Sequence, residues 1–326
     1  AMVEDGVVYL HAAPMFHIAD IIYFTAVTMM AGTHVVIPMF TPEATLAAIE
    51  KHRPSVVLLV PVMLQMVLGS EKLAKTDISS LEMITYGASP ITEGTLRIAF
   101  ERFPGVTFVQ AYGQTELAPV ATFLPAKYHV FEGPLAGKLR SAGRPTRIVE
   151  IRIVDKDMNE QPRGDTGEIA VKGPNAMLGY WNKPDVTAET IRDGWLLTGD
   201  AGYMDEDGFV FLMDRVKDMI VSGGENVYSA EVENALSQHP AVATSAVIGI
   251  PSEEWGESVH AIVIVKPGAA ATEQELRDHC RTLIAGYKCP RSVSFREEPF
   301  PLSGANKVLK TELRKPYWEG QARNIS

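Results

Sequence analysis

A hydroxyl beside a carboxylate, Thr115-Glu116, is the pair in this chain best suited to phosphate chemistry. The threonine can donate to a phosphate oxygen while the carboxylate offers magnesium a hard oxygen ligand. The pair closes the run Tyr112-Gly113-Gln114-Thr115-Glu116, directly after the β-prone segment Thr107 to Gln110. Ligands of parallel α/β proteins gather beyond the carboxyl ends of strands, although the same two residues would also serve as a helix cap. Tyr86-Gly87-Ala88-Ser89-Pro90 ends another such segment, where Gly87 can admit a planar ligand against the backbone or simply turn the chain. Asp200 follows Trp195-Leu196-Leu197-Thr198-Gly199 and reads as the acidic end of an apolar turn. It can accept from ribose hydroxyls, and Arg215 adds a planar donor fork for ribose or phosphate oxygens. The structural alternatives are a turn cap for Asp200 and a solvated pairing of Arg215 with Asp214 or Asp218. Lys307, in the segment Pro301 to Lys310, carries a flexible ammonium that can meet developing negative charge or lie in solvent.

The elements that must position these groups follow from local pattern. Strands are expected at Val7 to Leu10, Thr33 to Pro38, Val56 to Val60, Leu81 to Tyr86 and Thr107 to Gln110. Helices are expected at Ile21 to Met30, from Thr41-Pro42 to about His52, at Pro61 to Leu68 and at Thr92 to Phe103. Their alternation implies a mainly parallel sheet. After about Val120 short β-prone runs, Val149 to Val154, Gly167 to Lys172 and Gly208 to Met213, alternate with turn residues and imply a β-rich, partly barrel-like subdomain. Beyond Lys217 a helix at Ser229 to Ser237, strands at Ala243 to Ile250 and His260 to Val265, a helix at Thr272 to Leu283 and a strand at Val293 to Arg296 imply a compact α+β domain. The expected division is an α/β unit over 1–125, a β-rich unit over 126–213, a hinge at 214–217 and a mobile α+β domain over 218–326.

A length of 326 residues calls for more than one core. With 46% hydrophobic and 21% charged residues the composition is that of a soluble globular protein. The formal charge of −10 and the lack of a basic tract argue against nonspecific nucleic-acid binding. Cys280 and Cys289 are the only cysteines and form neither a CxxC nor a metal spacing, which suits a reducing cytoplasm. No apolar run has membrane-spanning length: the nearest, Ile18 to Val36, is interrupted by Asp20, Thr25, Thr28, Gly32, Thr33 and His34. No feature of the sequence sets an oligomeric state.

The ordered motifs PMFH (14–17), YGQTE (112–116), GWLLTGD (194–200), DRVKDMIVSGGENVY (214–228) and PLSGANKVLK (301–310) closely resemble the acyl-CoA synthetase branch of the adenylate-forming enzymes. The resemblance implies ATP, Mg2+ and CoA as cofactor and co-substrates: a carboxylic or fatty acid attacks the α-phosphate of ATP to give acyl-AMP, and CoA thiol then displaces AMP. It also implies site roles. Thr115 would contact phosphate and Glu116 would bind magnesium. Gly87, Ala88 and Tyr112 would form the adenine and acyl wall, and Asp200 and Arg215 would hold ribose. His17 would border the acyl pocket, and Lys307 would contact carboxylate and phosphate oxygens in the first half-reaction. Lys217 would be the hinge, and Gly223 and Gly224 would approach the pantetheine channel. Phe16, Met29, Met30 and Met63 are candidates for apolar contacts with the acid, or for packing.

The sequence departs from the family pattern in two places. Asn306 stands before Lys307 where many members have glycine. The Ser/Thr/Gly-rich phosphate loop that normally precedes PMFH has no counterpart here. The expectation is therefore the C-terminal part of a larger synthetase, with poor adenylation by this chain alone. Transfer to a carrier protein instead of free CoA, or a noncatalytic nucleotide-binding fragment, are the alternatives.

Overall fold

The computed structural model describes residues 4–89, 91–215, 218–304 and 306–319, without the side chains of residues 214 and 215. The chain opens with β1 (Val8–His11), α1 (Ile18–Met29), β2 (Thr33–Val36), α2 (Pro42–His52), β3 (Val56–Leu58), α3 (Pro61–Leu68), β4 (Met83–Gly87), α4 (Glu93–Arg102), β5 (Thr107–Gly113), β6 (Val120–Leu124) and β7 (Arg144–Pro145). These strands form a seven-stranded sheet in the order β2-β1-β3-β4-β5-β6-β7. The pairs from β2 to β5 are parallel, and β6 and β7 continue the sheet antiparallel.

Local chemistry sets the helix starts. The side chains of His17, Thr41 and Thr92 accept from Ala19 N, Ala44 N and Thr95 N, satisfying amides that lack an intrahelical partner. Pro42 supplies the preset φ of a first helical turn. The core between helices and strands is built from fully buried Tyr9, Leu10, Met63, Leu64, Ile84 and Leu96, each large side chain contributing roughly 1.5–3 kcal/mol by leaving water. Met63 belongs to this core, whereas Phe16 and Met29 are exposed.

The second sheet comprises β8 (Glu150–Val154) and β9 (Gly167–Lys172), then, after α5 (Pro184–Thr190), β10 (Ile191–Arg192), β11 (Trp195–Met204) and β12 (Val210–Arg215). All its pairs are antiparallel, and β9, β10 and β12 each pair with β11. One sequence expectation fails here. Asp200 lies inside the strand Trp195–Met204 and not at the end of a turn. Gly199, at φ 72°, takes up a register irregularity between Leu197 and Ala201, so the chain bulges and then resumes pairing.

The third unit comprises β13 (Ile220–Ser222), β14 (Glu225–Val227), α6 (Ser229–Ser237), β15 (Val242–Ser252), β16 (Gly256–Val265), α7 (Glu273–Arg281), β17 (Ser292–Phe295) and α8 (Lys310–Trp318), its five strands forming the third sheet. The strand order is β14-β13-β16-β15, with β17 parallel to β16. A reciprocal Thr272–Glu275 capping box starts α7. Arg314 on α8, 7% exposed, reaches the Asp218 carboxylate at 2.7 Å and ties the entry to this unit to its last helix. No helix among the described residues is long and apolar enough to cross a membrane.

Candidate functional site

The site residues gather where β4 and β5 end. Gly87 terminates β4 so close to β5 that a Cβ there would stand 2.1 Å from Ala111 O. Gly87→Ala should therefore force the two strands apart and destabilise the protein by about 1–3 kcal/mol, read as a lowered urea midpoint. An unchanged midpoint would show that the strands yield freely. Ala88 follows at φ 65°, a left-handed conformation costly for a residue with a Cβ and sustained only by its surroundings.

Beneath this turn, Tyr86 hydroxyl meets His129 Nε2 at 2.9 Å, and His129 Nδ1 faces Pro125 O at 3.2 Å. The neutral imidazole fits both: Nδ1–H donates to the carbonyl and Nε2 accepts from the tyrosine. Burial holds the His129 pKa down from 6.5 to about 4, with the Pro125 and Ala126 carbonyls pulling the other way. On acidification the unfolded chain thus takes its proton first. This stability is complete above pH 6.5 and is lost as pH falls towards 4, by ~3 kcal/mol in all. Urea titrations at pH 7 and pH 5 should show the loss, and His129→Gln should flatten it; an equally steep dependence in that variant would locate the titration elsewhere.

Tyr112, the penultimate residue of β5, donates its hydroxyl to Asp200 Oδ2 at 2.8 Å, joining the first sheet to the second. Asp200 N donates to Thr198 Oγ1 at 3.2 Å and Gly199 N to Glu168 Oε1 at 2.8 Å, so the bulge in β11 is held by side chains. Burial pushes the Glu168 pKa up, opposed by the Gly199 amide and Arg192 and assisted by the Asp200 charge. The backbone of Arg215 pairs with that of Asp200 in the β11–β12 register.

Past β5 the chain makes the short 3-10 turn Thr115–Leu117, with Thr115 exposed and Glu116 half-buried. Glu116 Oε1 accepts from the Tyr180 hydroxyl at 2.8 Å. Burial, then the Glu116 carboxylate, raises the tyrosine pKa, so it stays a donor. Asn175 Nδ2 donates to Leu117 O at 2.6 Å and Val120 O at 3.1 Å, fixing the same turn from the second unit. Among the described residues no group of three or more His, Cys, Asp or Glu side chains could hold a metal ion. Glu116 alone nonetheless suits magnesium, which commonly takes one or two carboxylates and completes its shell with water and phosphate oxygens.

From the third unit, the loop bearing Lys307 is closed by Ser303 N donating to Lys307 O at 2.8 Å and Lys307 N donating to Ser303 Oγ at 3.2 Å. Asn306 occupies a left-handed conformation at φ 57°. Asparagine is among the few residues that visit this region readily, so it stands in for glycine without breaking the loop. The loop rests on the segment after β1: a Cβ on Gly304 would lie 3.9 Å from Phe16 Cζ. Half-buried His17 has its pKa lowered by burial and then by the Lys307 charge, with Asp20 opposing.

The structure thus brings together Gly87, Tyr112, Asp200, Thr115 and Glu116 across two sheets and brings the Lys307 loop, through Gly304, up to Phe16. Gly223 and Gly224 form the tip of the β13–β14 hairpin, at φ 64° and 85°, the signs a two-residue type I′ turn requires. A Cβ on Gly223 would strike Trp255 at 2.6 Å, so this tip packs within its own unit. Lys217 lies outside the described residues. Sequence reasoning missed Tyr180, 64 positions from Glu116, and Asn175, which no local pattern links to the turn they hold.

A family model described as AMP-binding enzyme matches residues 1–181, and one described as AMP-binding enzyme C-terminal domain matches residues 231–307. A feruloyl-CoA synthase of Amycolatopsis sp is 40% identical over 309 residues, 94% of this chain and 61% of that protein. A fatty acid–[acyl-carrier-protein] ligase of Streptomyces coeruleorubidus is 38% identical over 322 residues, 98% of this chain and 61% of that protein. The solved structure of an amide bond synthetase from Marinactinospora thermotolerans superposes with a TM-score of 0.86 at 35% identity, over 96% of this chain and 63% of that one. The chain therefore spans about 61% of the length of the curated relatives it matches.

Proposed function

The chain belongs to the AMP-binding enzyme family, and from that premise we propose that it carries catalytic residues of an acyl-CoA synthetase. The reaction is the activation of a carboxylic or fatty acid by ATP followed by transfer to CoA. The acid's oxygen bonds to the α-phosphorus of ATP as the bond to the β-phosphate breaks, giving acyl-AMP and pyrophosphate. The CoA sulfur then bonds to the acyl carbon, the carbon–oxygen bond to AMP breaks, and the thiol proton passes to solvent.

In this reading Thr115 donates to a phosphate oxygen and Glu116, oriented through Oε1 by Tyr180, binds magnesium. Magnesium, when bound, neutralises phosphate charge that would repel the incoming carboxylate. Asp200 accepts from the ribose hydroxyls, steadied by the Tyr112 hydroxyl, and Arg215 adds a ribose contact. Gly87, Ala88 and Tyr112 form the wall against adenine and the acyl group, and neutral His17 borders the acyl pocket. Lys307 contacts carboxylate and phosphate oxygens during adenylation. Lys217 is the hinge, and Gly223 and Gly224 meet the pantetheine arm. A cytoplasmic setting suits the free, buried Cys280 and Cys289.

The observation that supports this reading is the approach of the Lys307 loop to Phe16, with Gly304 facing its ring, together with the Tyr112–Asp200 hydrogen bond. In this reading the Lys307 ammonium meets the carboxylate and the nucleotide phosphates together. A panel of carboxylic acids with Mg-ATP and CoA, supplied both to the 326-residue chain and to the longest product of its gene, should yield acyl-AMP and acyl-CoA by mass spectrometry from the latter and little from the former. No acyl-AMP with any acid would overturn the reading. The likeness to a carrier-protein ligase favours a second acceptor, so an acyl carrier protein belongs in a parallel reaction. Product on the carrier and none on CoA would replace the acceptor and keep the adenylation.

A further inference from the structure

Helices of the first and third units touch directly. Glu93 is the first residue of α4, and its backbone N–H donates to Asn234 Oδ1 on α6 at 3.3 Å. That amide is one of the four that a helix start leaves without an internal partner. Thr92 serves another of them, Thr95 N, at 3.3 Å, so the first turn of α4 is capped partly by its own chain and partly by the other unit. One residue on, a Cβ added to Gly94 would stand 2.9 Å from Ser237 O and 3.5 Å from Ser237 Oγ. Ser237 ends α6. The negative end of one helix dipole therefore meets the positive end of the other, an arrangement that lowers the energy of both termini and requires this close approach.

We propose that Gly94 and Asn234 are positioning residues for the acyl-AMP half-reaction: they seat α6 on α4 in the orientation that carries Lys307 to the site. The inference rests on the function proposed above for Lys307. Neither residue belongs to the group that would touch substrate. The seat and the Lys307 loop are separate contacts between the same two units, so loosening the first frees the second.

Gly94→Ala is the informative variant because alanine has the higher helix propensity, so α4 itself is not weakened. Hydrogen exchange in the 326-residue chain should show faster exchange at Glu93 and across residues 302–308 in Gly94→Ala and Asn234→Ala. Asn234→Asp, which keeps an acceptor oxygen, should restore protection. Acyl-AMP formation should fall about tenfold in the first two variants, equivalent to ~1.4 kcal/mol. Thioester formation from supplied acyl-AMP should hold or rise. Unchanged exchange across residues 302–308, or an equal fall in both half-reactions, would overturn the proposal. If the wild-type protein makes no acyl-AMP, the functional reading fails, while the exchange measurement still decides whether Gly94 and Asn234 seat the loop.

Discussion

Replacing Lys307 with alanine should cut carboxylate-dependent acyl-AMP formation by about 10²–10³, the cost of losing one preorganised donor aimed at developing charge. The same variant, given synthetic acyl-AMP and CoA, should form thioester within a few-fold of the wild-type rate. The split follows from chemistry. In the first half-reaction a negative carboxylate approaches a negative phosphate, and a cation must offset their repulsion. The second begins from an adenylate whose acyl carbon is already activated and meets a thiol. Lys307 is half-buried on a loop closed by Ser303, so the substitution removes charge without breaking the backbone bonds that shape the loop. Quenched-flow measurement of each half-reaction decides the matter. An equal loss in both would mean that the lysine supports the fold or both steps, and would remove it from the adenylation site.

Asp20→Ala should cost about 3–5 kcal/mol of stability, the usual price of stripping one partner from a buried polar pair. Asp20 is fully buried on α1. Its Oδ2 accepts from His11 Nδ1–H at 2.6 Å and its Oδ1 from the Tyr9 hydroxyl at 3.1 Å. His11 Nε2 shares a hydrogen bond with His34 Nδ1 at 2.9 Å, and His34 Nε2 another with Thr28 Oγ1 at 3.0 Å. Tyr9 stacks on Tyr23, whose hydroxyl donates to Thr85 at 2.7 Å on β4. Removing Asp20 therefore leaves a buried imidazole and a buried phenol without their acceptor. Asp20→Asn, which keeps one carbonyl oxygen, should lose less. Urea unfolding followed by hydrogen exchange at β1 and α1 measures the effect locally; a loss below 1 kcal/mol would show that water or rearranged side chains replace the carboxylate.

Much of the architecture could be read from the chain because its signals are local. Thr41-Pro42 starts α2 through a cap and a preset φ, the apolar run after Pro61 makes α3, and the acidic first turn after Tyr228 opens α6. What escaped needed distant partners. Trp195–Met204 becomes one long strand because β9 and β12 pair along it, which outweighs the turn signal of Gly199. β7 reads as a turn-rich stretch until β6 gives it an edge. α8 continues through Pro316, since packing on β15 offsets a residue that opposes helix.

By itself the sequence determined the inventory of chemical groups and the ordered motifs that mark the family, together with the strand and helix periods that depend on near neighbours. The tertiary structure decided which groups meet. Tyr112 and Asp200 are 88 positions apart, Glu116 and Tyr180 64, and Glu93 and Asn234 141. Side-chain periodicity carries information over a few residues only, whereas closing loops of this length is driven by burial of whole apolar faces and then refined by hydrogen bonds. The ribose and magnesium candidates could thus be named from motif alone. The Tyr180 partner, the Asn306 loop geometry and the Gly94 seat exist only once the sheets have packed.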